Sequence, residues 1–114
     1  MPLAFGRGFK QGCFYMNHAQ TDIAALSEAF KKDLLVKGFN EGLMREMAPD
    51  LFVDDHAHPF EVRALVTQGL ATLTVEGVQT TYQPGDIFTM APGCIHKELF
   101  GPTGAHYIVG RRYP

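Results

Sequence analysis

Asp55-His56-Ala57-His58-Pro59-Phe60-Glu61 decides how this 114-residue chain is read, together with a later stretch, Ala91-Pro92-Gly93-Cys94-Ile95-His96. On a strand, residues i and i+2 face the same side, so His56 and His58 can point at one ion. Pro59 then interrupts the backbone ladder and lets the chain bend around them. His96 opens a further strand behind a Pro-Gly loop. A third donor this distant in sequence is what a closed β-structure supplies, because closure brings remote strands together. Imidazole suits zinc, iron, copper, nickel and manganese to different degrees. Three neutral nitrogens leave positions open for water or substrate, the arrangement of a catalytic rather than a sealed site. A His-x-His pair alone is more often solvated than liganding. The second histidine-bearing stretch turns the reading toward one bound divalent transition metal (zinc, iron, manganese, nickel or copper).

Around these stretches the chain reads as short strands separated by turn signals. Asn40 to Met47 is expected as a first strand, stopped by Ala48-Pro49-Asp50, and Leu51 to Asp55 leads into the histidines. Val62 to Thr67 reads as a strand ending at Gln68-Gly69. Ala71, Leu73 and Val75 then alternate with Thr72, Thr74 and Glu76, a period of two. Glu76-Gly77 suits a tight hairpin turn, Val78 to Tyr82 returns, and Pro84-Gly85-Asp86 turns again. Ile87 to Met90 is a short buried strand. His96 to Phe100, a turn at Gly101-Pro102-Thr103-Gly104, and a last strand from His106 to Gly110 complete the series. Strands this short and evenly spaced indicate a β-sandwich or small barrel.

One helix precedes the strands. Ile23, Leu26, Phe30 and Leu34 recur at steps of three and four and form an apolar face suited to docking on the core. Thr21 or Asp22 can cap its start. Lys31, Lys32 and Lys37 in its second half suit the helix dipole, and Gly38 suits a left-handed stop. Residues 1–16 are rich in glycine and aromatics and are expected to form an extended arm. The chain is thus divided into an arm and helix over 1–38, packing on a barrel over 39–114, as a single domain.

Hydrophobic residues are 46% of the chain and charged residues 19%, with a net charge of −2. This is ordinary globular composition. No basic stripe marks a nucleic-acid partner. No apolar run approaches the roughly 18 residues of a membrane span, and Met1 to Met16 lacks the apolar run of a secretion signal. Cytoplasmic location is the resulting expectation. The two cysteines, Cys13 and Cys94, make no disulfide framework. They read as reduced thiols, with a role for Cys94 beside His96 and a Cys13–Cys94 bridge as the alternatives.

The chain resembles the cupin family. The first cupin motif is Gly, five residues, His-x-His, three or four residues, Glu, six residues, Gly. Here His56, His58 and Gly69 match it. The second is Gly, five residues, Pro-x-Gly, two residues, His, three residues, Asn, and Gly85, Gly93 and His96 match it. Fifteen residues separate Gly69 from Gly85, which suits the family's inter-motif hairpin. The resemblance covers residues 40–112. The run His58-Pro59-Phe60-Glu61 and the ending Val109-Gly110-Arg111-Arg112 look like small bacterial single-domain cupins. It implies an all-β double-stranded β-helix, a jelly roll, with its metal inside the barrel mouth and often a homodimer. The departures are specific. Asp50 stands at the leading glycine, Val62 or Arg63 at the glutamate, Ala91 at the proline and Phe100 at the asparagine. Glu61 comes one residue early. A regular strand would turn it away from the ion, whereas a bulge at Pro59 would let it serve as a fourth ligand.

Strand parity places Glu98 and Phe100 on the face of His96. Across the expected turn at 101–104, Tyr107 would pair with Glu98 and also point inward. Glu98 and Tyr107 are therefore candidates to support the histidines or contact substrate, with a solvated rim position the alternative for Glu98, and Glu98, Tyr107 or Glu61 are the acid–base candidates. His106 has the opposite parity and is expected outside. His18 has no identifiable partner. Arg111 and Arg112 read as solvated or interfacial. The resemblance implies two functional classes, with a metal-free structural role as the remainder. One is a metal-dependent oxygenase, decarboxylase or isomerase of a small polar compound. The other is a non-catalytic module that binds a small ligand, like the sugar-sensing domains of bacterial regulators.

Overall fold

The fold is a computed structural model that describes residues 22–114. The readings made of residues 1–16, Cys13, His18 and Thr21 lie outside the described residues. Helix α1 (Ile23–Val36) is followed by strands β1 (Leu43–Met47), β2 (Phe52–His56), β3 (Glu61–Val75), β4 (Val78–Tyr82), β5 (Ile87–Met90) and β6 (His96–Arg112). All pairings are antiparallel.

Two long strands organise the molecule. β3 and β6 pair along almost their whole lengths, Glu61 opposite Arg112 at one end and Thr74 opposite Lys97 at the other. One half of this ribbon adds β1 beside Ala105–Val109 and β5 beside Val62–Leu65. The other half adds β2 beside His96–Leu99 and β4 beside Ala71–Val75. Each half is thus a four-stranded leaf. The leaves face each other across one core containing Val62, Ala64, Phe88, Met90 and Tyr107 from the first and Ala71, Leu73 and Phe100 from the second. Strands that pass from one layer to the next through a bend are how such sandwiches close. The result is the jelly roll expected from the sequence.

The bend corrects two expectations. Gln68-Gly69 does not end a strand, and Gly101-Pro102-Thr103-Gly104 does not reverse the chain. Both are irregularities inside continuous strands, where the β3–β6 register shifts around Thr67 and Leu70. The turn at Ala48-Pro49-Asp50 lies alongside them, with the Asp50 N–H donating to the Gly101 carbonyl at 3.0 Å. The chains approach too closely here for side chains. A Cβ on Gly69 would collide with the Gly104 carbonyl oxygen, and one on Gly104 with that of Met47. The extra residues also change the parity of β3. Val62, Ala64 and Val66 point inward before the bend, and Ala71 and Leu73 after it. Tyr107 is buried as expected, but it pairs with Arg45 and Val66, while Glu98 pairs with Val53 and Leu73.

The helix covers the outer face of the first leaf. Phe30 and Leu34 pack with Phe39, Leu65 and Ile108. Leu34 is fully buried, and it rests where Gly42 and Gly110 leave room for it. Its end is a Schellman stop: the Phe39 N–H reaches the Leu34 carbonyl at 2.8 Å, the Gly38 N–H reaches that of Leu35 at 3.1 Å, and Gly38 has φ +84°. The start differs from expectation, because the Asp22 side chain makes no capping hydrogen bond. Asp33 ties the helix to the sheet through Arg63 at 3.2 Å. Its hydrogen bond with Lys37, helped by the charges of Lys37 and Arg63, holds its carboxyl below the usual range. No helix among the described residues is long and apolar enough to cross a membrane.

Candidate metal centre

His56, His58 and His96 meet between the leaves, each offering a ring nitrogen within 4.8 Å of the others. The ring centroids of His56 and His96 are 4.1 Å apart, and His58 lies 5.1 and 5.5 Å from them. His96 is fully buried, whereas His56 and His58 are half-buried and open toward solvent.

The backbone reaches this arrangement by a route the sequence did not suggest. Val53 is opposite Glu98, yet His56 is opposite His96, so Asp54 and Asp55 together face the single residue Lys97. This is a bulge. In a regular strand Asp55 would have occupied the position facing His96. The extra residue substitutes an imidazole for that carboxylate. Both displaced aspartates sit on Lys97, at 3.8 and 2.9 Å, and the Asp55 N–H donates to the Asp54 side chain. The strand then ends at His56, and His58 lies in the following connection rather than on a shared strand face. The Gly93 N–H donates to the His58 carbonyl at 2.8 Å and ties this connection to the loop that precedes His96.

The hydrogen bonds define which nitrogens are available. His56 Nδ1 lies 2.8 Å from the Asp54 carbonyl oxygen, and His96 Nδ1 lies 3.0 Å from that of Cys94. A carbonyl only accepts, so Nδ1 carries a proton in each ring, and in the neutral ring Nε2 presents a lone pair. Backbone carbonyls orient metal-bound histidines in this way. Both Nε2 atoms face the same oxygen, Glu98 Oε2, at 3.3 Å from His56 and 3.1 Å from His96. With both rings neutral these three atoms are all acceptors, and a cation among them would satisfy them together. Ligands about 2.1 Å from a zinc-sized ion stand roughly 3.0–3.4 Å apart in octahedral or tetrahedral arrangements, close to the two separations seen here. The donor set therefore fits a divalent transition metal. His58 is kept below the usual imidazole pKa, first by burial and then by the charges of His56, His96 and Arg111, so it favours the neutral form that a metal requires.

Glu61 is elsewhere. Its carboxylate is bound by Arg112, and it starts β3 opposite that residue. No bulge at Pro59 redirects it, because the irregularity falls before His56. The carboxylate beside the histidines is Glu98, on the face that strand parity gave it. Arg112 also donates to the Lys37 carbonyl at the end of the helix. His106 is paired with Glu46 and Gln68, on the opposite parity to the buried Tyr107. Cys94 is a half-buried free thiol whose carbonyl serves His96.

A small cavity of about 60 Å³ adjoins the histidines, lined by His58, Glu98, Tyr107, Arg45 and Arg111 with an apolar wall that includes Phe60, Phe88 and Met90. Burial, assisted by the charge of Glu98, pushes the Tyr107 phenol above its ordinary pKa against the pull of Arg45. It stays protonated and can donate a hydrogen bond. Arg111, expected to be solvated or interfacial, is half-buried with its guanidinium 4.6 Å from the centre of the Phe60 ring. Arg45 was not anticipated at all. Its place follows from β1–β6 register, which no local pattern in the sequence encodes.

Among solved structures, the chain is similar to an RmlC-like cupin from Shewanella frigidimarina, with 24% identity and a TM-score of 0.55 over 62% of this chain and 63% of that one. It therefore spans somewhat under two thirds of that relative. DMSP lyase DddQ from Ruegeria pomeroyi matches at 23% identity and a TM-score of 0.57, over 63% of this chain and 37% of the lyase. The cupin domain of an XRE-family transcriptional regulator from Enterobacter cloacae matches at 17% identity and a TM-score of 0.56, over 70% of this chain and 86% of that domain. At these identities the likeness is one of fold. No curated protein matches the chain. The family model of the AraC-like ligand binding domain matches residues 41–101, more than half of the chain and inclusive of all three histidines and Glu98. The chain belongs to the AraC-like ligand-binding domain family and has the fold of the cupins.

Proposed function

We propose that His56, His58 and His96 hold one divalent transition metal with Glu98 as a fourth donor, and that the protein acts on a small molecule bound beside it. The observation that carries this reading is the convergence of His56 Nε2 and His96 Nε2 on Glu98 Oε2, with the His58 ring beside them. When bound, the metal would supply Lewis acidity or a place for water or dioxygen next to a substrate carbonyl or enolate. The rest falls to the chain. Tyr107, held protonated, donates a hydrogen bond to a substrate oxygen in the cavity and stabilises charge developing there. Phe60, Phe88 and Met90 exclude water from that side. Oxygenase, decarboxylase and isomerase chemistry of a small polar compound all suit this arrangement.

A non-catalytic reading has its own support. The matching family is described by ligand binding, and one similar structure is the cupin domain of a transcriptional regulator. Oxygen uptake and substrate loss, measured on the metal-loaded protein over small diketones, thiols, phenols and oxo acids, separate the two. Turnover that disappears in Tyr107→Phe, with metal content retained, is the enzymatic outcome. Tight binding of a panel member without turnover is the outcome for a ligand-binding module.

A further inference from the structure

Part of the wall of the cavity beside the histidines is cationic. On β6, Tyr107, Val109 and Arg111 follow at steps of two and share one face, and all three line the cavity. Arg45 is the cross-strand partner of Tyr107 in the β1–β6 register, so it lies on that face too. Among the described residues neither Arg45 nor Arg111 has a carboxylate within ion-pair distance, in contrast to Arg63 on Asp33 and Arg112 on Glu61. The Arg111 guanidinium is held against Phe60, which also stacks on His58 at 5.0 Å between centroids. One aromatic ring thus connects the cationic wall to the histidine cluster.

We infer that this site selects a small carboxylate-bearing ligand, with its carboxylate on Arg45 and Arg111 and its other oxygens directed toward His58 and the metal. The inference rests on the metal reading above and adds the class of ligand. Charge favours it. A divalent ion and two guanidiniums against Glu98 leave a formal excess of three positive charges, and without the ion the two guanidiniums still outnumber the one carboxylate. Geometry favours it as well, because guanidinium matches a carboxylate with paired donors. Size excludes much else. About 60 Å³ is far below the roughly 300–1,000 Å³ of pockets that enclose drug-sized ligands. The cavity thus takes a group of a few atoms such as a carboxylate, with the rest of the ligand in its open mouth, and a neutral sugar offers the two arginines no charge to pair.

The test is calorimetric titration of zinc-loaded protein with malonate, with its uncharged analogue malonamide, and with xylose. The account expects malonate to bind, malonamide to bind at least about tenfold more weakly, and xylose not to bind, since a charge-assisted hydrogen bond is worth that much or more. Arg45→Gln and Arg111→Gln should each weaken malonate about tenfold with zinc content unchanged. Arg111→Lys, which keeps the charge but loses the fork, serves as a second variant whose thermal melt reports folding. Malonamide or xylose binding as tightly as malonate overturns the inference. So does undiminished malonate binding in the arginine variants, or no malonate binding at 10 mM. Failure of the metal reading appears separately, as absence of zinc by elemental analysis. In that case malonate should still bind the metal-free wild type more tightly than either Gln variant does, and equal binding overturns the inference there too.

Discussion

The two halves of β6 belong to one strand and do different work. From His96 to Phe100 its inner face carries the histidine, the carboxylate and a phenylalanine, while its outer face is open: Leu99 is 46% exposed and its partner Phe52 54%. From Ala105 to Arg112 the inner face carries Tyr107 and Arg111, and the outer face is sealed by the helix, with Ile108 and Leu34 buried. The difference teaches where the fold is anchored. Apolar burial on both faces concentrates at the helix-covered leaf, and His56, His96 and Glu98 sit on the leaf that has only one buried face. A polar cluster with converging acceptors costs stability in the absence of a cation, and the covered leaf is where that cost is offset.

Substitutions can break this contrast. Leu34→Ala removes a fully buried side chain from beneath the helix. It should cost about 2–5 kcal/mol of unfolding free energy in denaturant titration, with metal content per folded molecule unchanged. A loss below about 1 kcal/mol would deny the helix its anchoring role. Leu99→Lys on the open face should change stability by no more than about 0.5 kcal/mol. A large loss there would mean that something covers that face in solution. The smallest effect sharpens the comparison by pH. The folded-state pKa of Asp33 is depressed, first by its hydrogen bond to Lys37. The unfolded chain then binds the proton more readily, so this contribution is present above the ordinary carboxylate range and is lost as pH falls through the lowered folded value. Asp33→Asn should lower stability slightly at neutral pH and leave it nearly unaffected in strong acid, so that the acid limb of a stability–pH profile flattens. An unchanged acid limb would remove the Asp33 pairings from the account.

The histidine cluster was legible because His56-x-His58 and Gly93-x-x-His96 combine a short-range and a long-range spacing, and only a closed β-fold satisfies both. The helix was legible because its apolar period and Gly38 agree. Four features were not. Glycine at 69, 101 and 104 indicates that the backbone can leave the ladder, but not whether the chain reverses or only bends. Here neighbouring strands bend at the same place, and that depends on partners distant in sequence. The bulge at Asp54-Asp55 was hidden for the same reason, since Lys97, which faces both, lies in another strand. The exchange of Glu61 for Glu98 beside the histidines follows from where that bulge falls. Arg45 became visible only when β1 was seen in register with β6.

The central claim is most directly tested by elemental analysis of purified wild type, His96→Ala, Glu98→Gln and Glu61→Gln, each checked for folding by its thermal melt. The account predicts close to one divalent transition-metal ion per chain in wild type and in Glu61→Gln, a reduced amount in Glu98→Gln, and almost none in His96→Ala. Equal metal content in wild type and His96→Ala, or loss of the metal in Glu61→Gln with Glu98→Gln unaffected, would contradict it.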